Sequence, residues 1–397
     1  MGSRFRCLCQ ELQHSTSTKH MNTSSSALLP PRPGDRVVVA MSGGVDSSLA
    51  AALLREQGYE VVGITMHLWD FDQVGGNIHS DSSCCSTEGA DDARAVCDKL
   101  GVPHYVVDFR DAFEANVVRS FVQEYLGGRT PNPCVLCNAH VKWGALLRKT
   151  QALGADYLAT GHYARVRFDP DVGRVVLRKG LDEGKDQSYA LWQLDQPKLR
   201  RTIFPLGELR KSDARRRARS LGLKVSDKAE SQEICFLPDN DYERFLRERV
   251  GSATALSRGP IFDRSGRTLG QHRGVALYTV GQRKGLGIAA GKPLYVTRLD
   301  AERNALWVGD LEALKSDTLI AAQPNWIAIE RLEHELRVHA KIRYLHSAAP
   351  VTIRPKGTSH VLVRFQDPQY AIAPGQSVVF YDGDRVVGGG VIEQGGL

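Results

Sequence analysis

Apolar residues in the first half of this chain gather in short unbroken runs. Val37-Val38-Val39-Ala40-Met41 is the first, and residues 61–66 and 105–107 repeat it. Short runs rich in β-branched side chains, with no polar alternation, are the signature of strands buried on both faces. Stretches with helical spacing lie between them: 49–54, closed by Gly58, then 91–100 and 113–125. A further strand over 156–160 runs into Gly161-His162. Strand and helix alternating from 36 to about 205 predict an open parallel sheet with helices on both faces, whose ligands gather at the carboxyl ends of the strands. Residues 165–168 and 174–177, split by Asp-Pro-Asp-Val-Gly, predict a hairpin appended to that sheet.

The pattern then changes twice. Residues 206–250 read as helical and basic, with Ser212 capping a helix that lines up Ala214, Ala218 and Leu221 on one face. Arg215, Arg216, Arg217 and Arg219 fill the rest, and Arg210, Lys211 and Lys224 extend the stripe. Such a stripe suits either a solvated face or a phosphate backbone. After Gly251 short alternating runs at 294–299, 305–308, 361–365 and 378–381 are separated by Gly, Asp and Pro, which predicts an antiparallel β-barrel or sandwich. Residues 1–35, rich in Ser and Thr, have no composition for a core and are expected to be disordered. They faintly resemble an organelle transit peptide; a bacterial tail, or a start at Met21, fits equally.

Composition narrows the class. A chain of 397 residues is long enough for two or three domains. No apolar run approaches the ~20 residues of a membrane span, so no membrane partner is expected. The net charge of +7 suits a nucleic-acid partner only where it is clustered. Eight cysteines follow no disulfide-scaffold spacing and no secretory segment is evident, so a reducing, cytoplasmic setting is expected, with organelle targeting by 1–35 left open.

The first strand is followed by Ser42-Gly43-Gly44-Val45-Asp46-Ser47-Ser48 and then by helix formers. A strand, a glycine loop and a helix N-terminus aim free backbone N–H groups at one spot, which makes an anion site. The plain alternative is a tight turn with Asp46 or Ser47 as helix cap. The loop carries no lysine in the G-x-x-x-x-G-K-[ST] manner. It resembles instead the pyrophosphate loop of enzymes that split ATP between its α and β phosphates. That resemblance implies that Gly43, Gly44, Ser47 and Ser48 cradle pyrophosphate and that Asp46 helps to hold Mg²⁺.

Three cysteines stand apart. Cys134 and Cys137 lie in a proline-stiffened turn, Thr130-Pro131-Asn132-Pro133-Cys134-Val135-Leu136-Cys137, just before a helical run over 139–149, where the helix dipole would favour a Cys137 thiolate. Cys235 sits in Ser231-Gln232-Glu233-Ile234-Cys235-Phe236 and could equally be core filler. A metal held by Cys134 and Cys137 with Cys84 and Cys85, or an iron–sulfur cluster on Cys134, Cys137 and Cys235, is a minority alternative.

These segments, with Gly161-His162-Tyr163-Ala164, Lys185-Asp186-Gln187-Ser188-Tyr189 and Tyr278-Thr279-Val280-Gly281-Gln282-Arg283-Lys284-Gly285-Leu286-Gly287, occur in one order. Over about 36–395 that order closely resembles the tRNA-specific 2-thiouridylases. The resemblance implies an N-type ATP pyrophosphatase (PP-loop) domain of the parallel α/β class at 36–205. A small basic helical region at 206–250 would carry a persulfide, and a C-terminal antiparallel β-barrel at 251–397 would bind tRNA. It implies that ATP, held by Ala40, Met41, Ser42, Gly43, Gly44, Val45, Asp46, Ser47, Met66 and Gly161, adenylates O2 of the wobble uridine. It further implies that Cys235 carries a persulfide from a sulfur donor, a cysteine desulfurase or sulfur-relay protein, and that Cys137 is the partner nucleophile. His162, Lys185, Asp186, Gln187, Arg343, Tyr344 and Gln376 match positions that touch tRNA. Many members have Asp where this chain has Cys134, so an acid/base role falls to that thiol, to water, or to neither. The rival readings are another adenylating ligase on the same loop and a non-catalytic nucleotide- or metal-dependent RNA-binding protein.

Overall fold

The computed structural model describes residues 31–70, 87–227, 234–237 and 239–396. The predicted first half contains five strands: β1 (Arg36–Met41), β2 (Glu60–His67), β3 (His104–Asp108), β4 (Tyr157–Ala159) and β7 (Thr202–Ile203). They pair in parallel throughout, in the order β3-β2-β1-β4-β7. In β1, β2 and β4 alternate residues face opposite sides and both sides are buried, whereas the edge strand β3 leaves Tyr105 and Val106 exposed. Val38, Ile64 and Leu158 join one apolar cluster, while Val37, Val39, Val61 and Ala159 join another. Helix α1 (Val45–Glu56) and helix α2 (Thr87–Leu100) cover the second side with Ala50, Leu54, Ala93 and Val96. Helix α3 (110–126) and helix α4 (133–152) bring Phe113, Phe121, Trp143 and Leu146 to the first. Cys97 belongs to the packing of α2; burial pushes its thiol up to about 12, so it is inert filler. β1 has β2 on one flank and β4 on the other, so the crevice beyond Met41 and Ala159 is the sheet's topological switch point.

Three local expectations change. Helix α1 starts at Val45, four residues ahead of the apolar run, so the true loop is only Ser42-Gly43-Gly44. The hairpin β5 (Ala164–Asp169) and β6 (Arg174–Lys179) does not extend the parallel sheet; it pairs with the last strand of the C-terminal barrel at Arg178↔Arg385. Arg178 fixes it there, its guanidinium donating to Asp384 at 2.7 Å and to Asp169 at 2.7 Å. Helix α5 (Lys211–Ser220) has Arg210 at its N-cap and no side-chain cap, because Ser212 already lies in the first turn. Its Ala218, with Leu223 and Val225, packs in the cluster that covers α1.

The β-rich remainder is two units, not one. β8 (Gly259–Phe262), β9 (Thr268–His272), β10 (Tyr295–Asp300) and β11 (Ala305–Gly309) form a four-stranded sheet in the order β10-β11-β8-β9. β12 (Lys315–Trp326), β13 (Leu336–Lys341), β14 (Ala349–Lys356), β15 (His360–Tyr370), β16 (Ser377–Asp382) and β17 (Arg385–Gly395) are all paired antiparallel. The β12–β17 pairing closes these six into a barrel. Its core of Leu319, Val338, Ile353, Val363, Val378 and Phe380 is filled by side chains, leaving no room for a ligand inside. Among the described residues no helix is long and apolar enough to cross a membrane.

Candidate functional site: a phosphate loop beside two thiol segments

The loop between β1 and α1 has the geometry of an anion cradle. Gly43 takes φ +68°, and a Cβ there would lie 2.1 Å from the Gly89 carbonyl oxygen at the start of α2. Gly44 is the N-cap of α1 and supplies no side-chain cap, so the first amides of that helix remain open to a ligand. The serines fold inward: Ser42 N–H donates to Ser47 Oγ at 3.1 Å, and Ser48 Oγ donates to the Gly44 carbonyl at 2.8 Å. The capping role considered for Asp46 or Ser47 is absent. Met66, at the end of β2, is buried beside the same sheet end. Gly161 sits against the loop from the β4 side, where a Cβ would lie 2.7 Å from Asp46 C and 2.8 Å from Ser47 N. Gly161→Ala should therefore push the first turn of α1 out of place. We expect ATP affinity in titration calorimetry to fall at least about tenfold, the scale of a lost charge-assisted hydrogen bond; unchanged affinity would remove Gly161 from the site.

Asp46 holds a partner that sequence reasoning missed. Lys211 Nζ donates to Asp46 Oδ1 at 2.8 Å and Oδ2 at 2.7 Å, and Tyr163 Oη donates to Oδ1 at 2.9 Å. Lys211 is only 8% exposed and lies 5.5 Å from the Tyr163 ring centroid. Its backbone N–H donates to Asp182, which fixes the start of α5 above the loop. The loop's missing lysine thus arrives from 165 residues away. In the sequence it was indistinguishable from its arginine neighbours, and only its burial separates it from them. Those neighbours serve the fold: Arg216 pairs with Asp213, Arg217 with Glu56 at 2.9 Å, and Arg215 donates to the Ser226 carbonyl.

The first thiol segment is helical from Pro133 onward, earlier than expected. Helix α4 consists of Pro133–Leu136, a π-helical stretch Cys137–Leu146 and Leu147–Ala152. Asn132 caps it, its side-chain oxygen accepting from Val135 N–H at 3.3 Å, with Pro133 at the first position. Cys134 is exposed in the first turn. Cys137 is half-buried one turn further in, where the backbone widens to π geometry, a feature common at functional sites. The turn ahead of it is held by both β units. Thr130 N–H donates to the Pro374 carbonyl at 2.8 Å, Gln376 Nε2 donates to the Thr130 and Pro131 carbonyls at 3.0 and 3.2 Å, and Thr130 Oγ1 donates to Thr279 Oγ1 at 3.2 Å.

The second thiol segment is anchored by its neighbour. Phe236 is buried with its ring 5.5 Å from Phe113, 5.1 Å from Phe121 and 5.5 Å from Phe245, centroid to centroid. Cys235 itself is only half-buried, so Phe236 is the core residue and the thiol stays at the edge. Cys137 and Cys235 both border the one apolar cluster that also receives Val38, Ile64 and Met66 from the sheet. Ser231, Gln232 and Glu233 lie outside the described residues, as do Cys84 and Cys85. Among the described residues no three His, Cys, Asp or Glu side chains converge to hold a metal, which leaves the iron–sulfur reading of Cys134, Cys137 and Cys235 without support. The carboxylate at the phosphate loop is Asp46, held by Lys211 and Tyr163.

The residues matched to tRNA contacts divide into two kinds. Asp186 is buried and accepts from Gly180 N–H, Ser188 N–H and Ser188 Oγ, so it holds a turn. Gln187 Oε1 accepts from Tyr163 N–H at 2.9 Å, and Gln376 is occupied by the Thr130 turn. His162 packs between Trp143 and Phe204, and burial, with Lys142 nearby, holds its imidazole well below the ordinary pKa, so it is neutral at pH 7. By contrast Tyr344 is 39% and Leu345 is 90% exposed, beside Arg343, which donates to the Tyr370 carbonyl. Lys185 is half-exposed on the same turn as Asp186.

Known proteins share this arrangement. Residues 35–239 match a family model described as a tRNA methyl transferase HUP domain, 243–310 a tRNA methyl transferase PRC-barrel domain, and 316–392 an aminomethyltransferase beta-barrel domain. A protein of Caldanaerobacter subterraneus subsp. tengcongensis named tRNA-specific 2-thiouridylase MnmA 1 is 51% identical over 360 residues, covering 91% of this chain and 98% of that protein. The tRNA-specific 2-thiouridylase MnmA of Heliobacterium modesticaldum is 53% identical over 359 residues, covering 90% and 92%. With the phosphate loop, both thiol segments and the two β units all inside that aligned length, the chain belongs to the family of tRNA-specific 2-thiouridylases.

Proposed function

We propose that this protein is an ATP-dependent sulfurtransferase that converts the wobble uridine of tRNA, position 34, to 2-thiouridine. The observation that carries the reading is that an ATP-type phosphate loop and two half-buried thiols border one core in one chain. The methyl transferase wording of two family models gives way to the relatives that align over nine-tenths of the chain and are named for thiolation.

The chemistry divides along the chain. Residues 36–205 bind ATP, with Ala40 to Ser48, Met66 and Gly161 around it; Asp46 would hold a Mg²⁺, whose charge would shield the phosphates. Uridine O2 attacks the α-phosphate, the loop keeps the departing pyrophosphate, and C2 acquires AMP as its leaving group. Region 206–250 carries Cys235, which receives a sulfane sulfur from a cysteine desulfurase or sulfur-relay protein. The terminal sulfur attacks C2, AMP leaves, and the Cys137 thiolate attacks the Cys235 sulfur, breaking the S–S bond. The products are 2-thiouridine, AMP, pyrophosphate and a Cys137–Cys235 disulfide, which an external dithiol reduces. The exposed Cys134 thiol or a water molecule serves as the acid/base group. Residues 251–397 grip tRNA together with Lys185 and the Arg343-Tyr344 corner, in the cytoplasm.

One assay separates this reading from its rivals. The protein is incubated with ATP, a persulfide donor and unmodified tRNA, and nucleosides and nucleotides are quantified. We expect 2-thiouridine and AMP in equal amounts. AMP without thiolated nucleoside would indicate another adenylating ligase, and tRNA binding without AMP would indicate a non-catalytic RNA-binding protein.

A further inference from the structure

The segment Thr279 to Lys292 is absorbed by none of these steps, yet it is built like a ligand grip. Leu286 is buried among Ile261, Tyr278, Val296, Leu306 and Val308, and Ile288 and Leu294 pack against the same cluster. Its root is tied by Gln282, whose Oε1 accepts from Thr279 N–H at 3.1 Å and whose Nε2 donates to the Lys284 carbonyl at 3.0 Å, and by the Val296–Gln282 backbone bond at 2.9 Å. The apolar side chains point inward, so the intervening residues face outward. Arg283, Lys284 and Lys292 are all exposed. Among the described residues no carboxylate pairs with any of the three, in contrast to Arg216 and Arg217 on α5. Between them Gly285, Gly287 and Gly291 hold φ of +77°, +66° and +67°, and nothing lies within 4 Å of a Cβ at Gly287 or Gly291. Arg283 and Lys292 both line an open cleft of about 540 Å³.

Resting on the function proposed above, we infer that this loop is a phosphate clamp for the tRNA backbone flanking the target uridine. Three cations without internal partners, on a loop already fixed by its apolar anchors, bind phosphodiesters with little ordering cost. Glycines without side-chain cover let the RNA backbone approach the loop's own amides. Its location sets which phosphates it takes: Thr279, at the loop's root, accepts the hydrogen bond from Thr130 in the turn that leads to Cys137. The clamp and the attacking thiol are therefore two ends of one hydrogen-bonded segment.

Salt dependence tests the clamp. Each lost phosphate contact lowers the slope of log affinity against log salt by roughly 0.7–0.9. Each of Arg283→Ala, Lys284→Ala and Lys292→Ala should flatten the slope by about that amount, and the triple variant by about 2. The triple variant should raise KM for tRNA more than tenfold, with kcat at saturating tRNA and ATP affinity within twofold of the parent. Lys284→Arg with Lys292→Arg should keep the parent slope, which separates lost charge from a disturbed loop. The same difference should persist with an isolated anticodon arm. A triple variant with the parent slope, or a difference that vanishes with the anticodon arm, overturns the clamp. A parent protein that binds tRNA with the expected slopes but makes no 2-thiouridine would instead sink the proposed function and leave the clamp standing.

Discussion

Cys235→Ala is expected to make no detectable 2-thiouridine while still releasing pyrophosphate from ATP in the presence of tRNA. In the proposed reaction the two halves use separate groups, so losing Cys235 should leave the adenylating half intact. The substitution is mild for the fold, because Cys235 is half-buried and the segment is anchored through Phe236, whose three ring neighbours are untouched. Cys137→Ser should fail differently. It should accept a labelled sulfane sulfur on Cys235, visible as about 32 Da in intact-protein mass spectrometry before tRNA is added, and then stall with that sulfur still bonded to Cys235, so that no 2-thiouridine is released. A Cys235→Ala protein that thiolates above a few per cent of the parent rate would end this assignment. So would a Cys137→Ser protein that turns over normally. Removing a nucleophile from a unit that acts together usually costs orders of magnitude in rate, so small effects would themselves be informative.

Lys211→Met should weaken ATP binding about 10- to 100-fold and depress adenylation further. A charge-assisted hydrogen bond at a sheltered site contributes about 1.5–3 kcal/mol, which corresponds to that range. Lys211 neutralises Asp46, and Tyr163 supports the same carboxylate. A bound Mg²⁺ would compete for that carboxylate, and Lys211 Nζ would then face the pyrophosphate, the post that a loop lysine fills in other nucleotide sites. The test needs two readouts. ATP affinity is measured by calorimetry, and Mn²⁺ binding to the protein without nucleotide is followed by paramagnetic resonance. Lys211→Met should lose the first and gain the second, because Asp46 loses its resident cation. Lys211→Arg should restore ATP affinity only in part, a guanidinium being wider than the space an ammonium occupies. If ATP binds Lys211→Met as tightly as the parent, the ion pair belongs to the fold alone.

The parts of the fold legible in the sequence were those written in local patterns. Unbroken Val-rich runs gave away doubly buried strands, and the glycine loop stood out because a tight turn and close backbone approach demand it. Boundaries were harder. Helix α1 starts inside the loop because its amides are left for a ligand, and a sequence shows no missing cap partner. The hairpin at 164–179 was visible, but its allegiance to the barrel depends on Arg178 reaching Asp384, a pairing 206 residues apart. The role of Lys211 was hidden for the same reason. It acts through a long-range contact and does not stand out from its basic neighbours by composition. Asp186 shows the converse, a polar residue in a recognisable motif that the fold uses to satisfy three local donors.

The bonds from Pro374 and Gln376 to Thr130 and Pro131, with the hairpin strapped to β17, bear on any attempt to build chimaeras. A boundary cut near residue 310 looks natural, yet it would sever the carbonyl contacts that shape the approach to Cys137. A barrel exchanged between relatives must bring its own 374–376 segment and a matching partner for Arg178. A chain trimmed to the nucleotide-binding half should handle ATP and still lack a competent thiol. In this protein, exchanging the barrel also resets the turn that leads to Cys137.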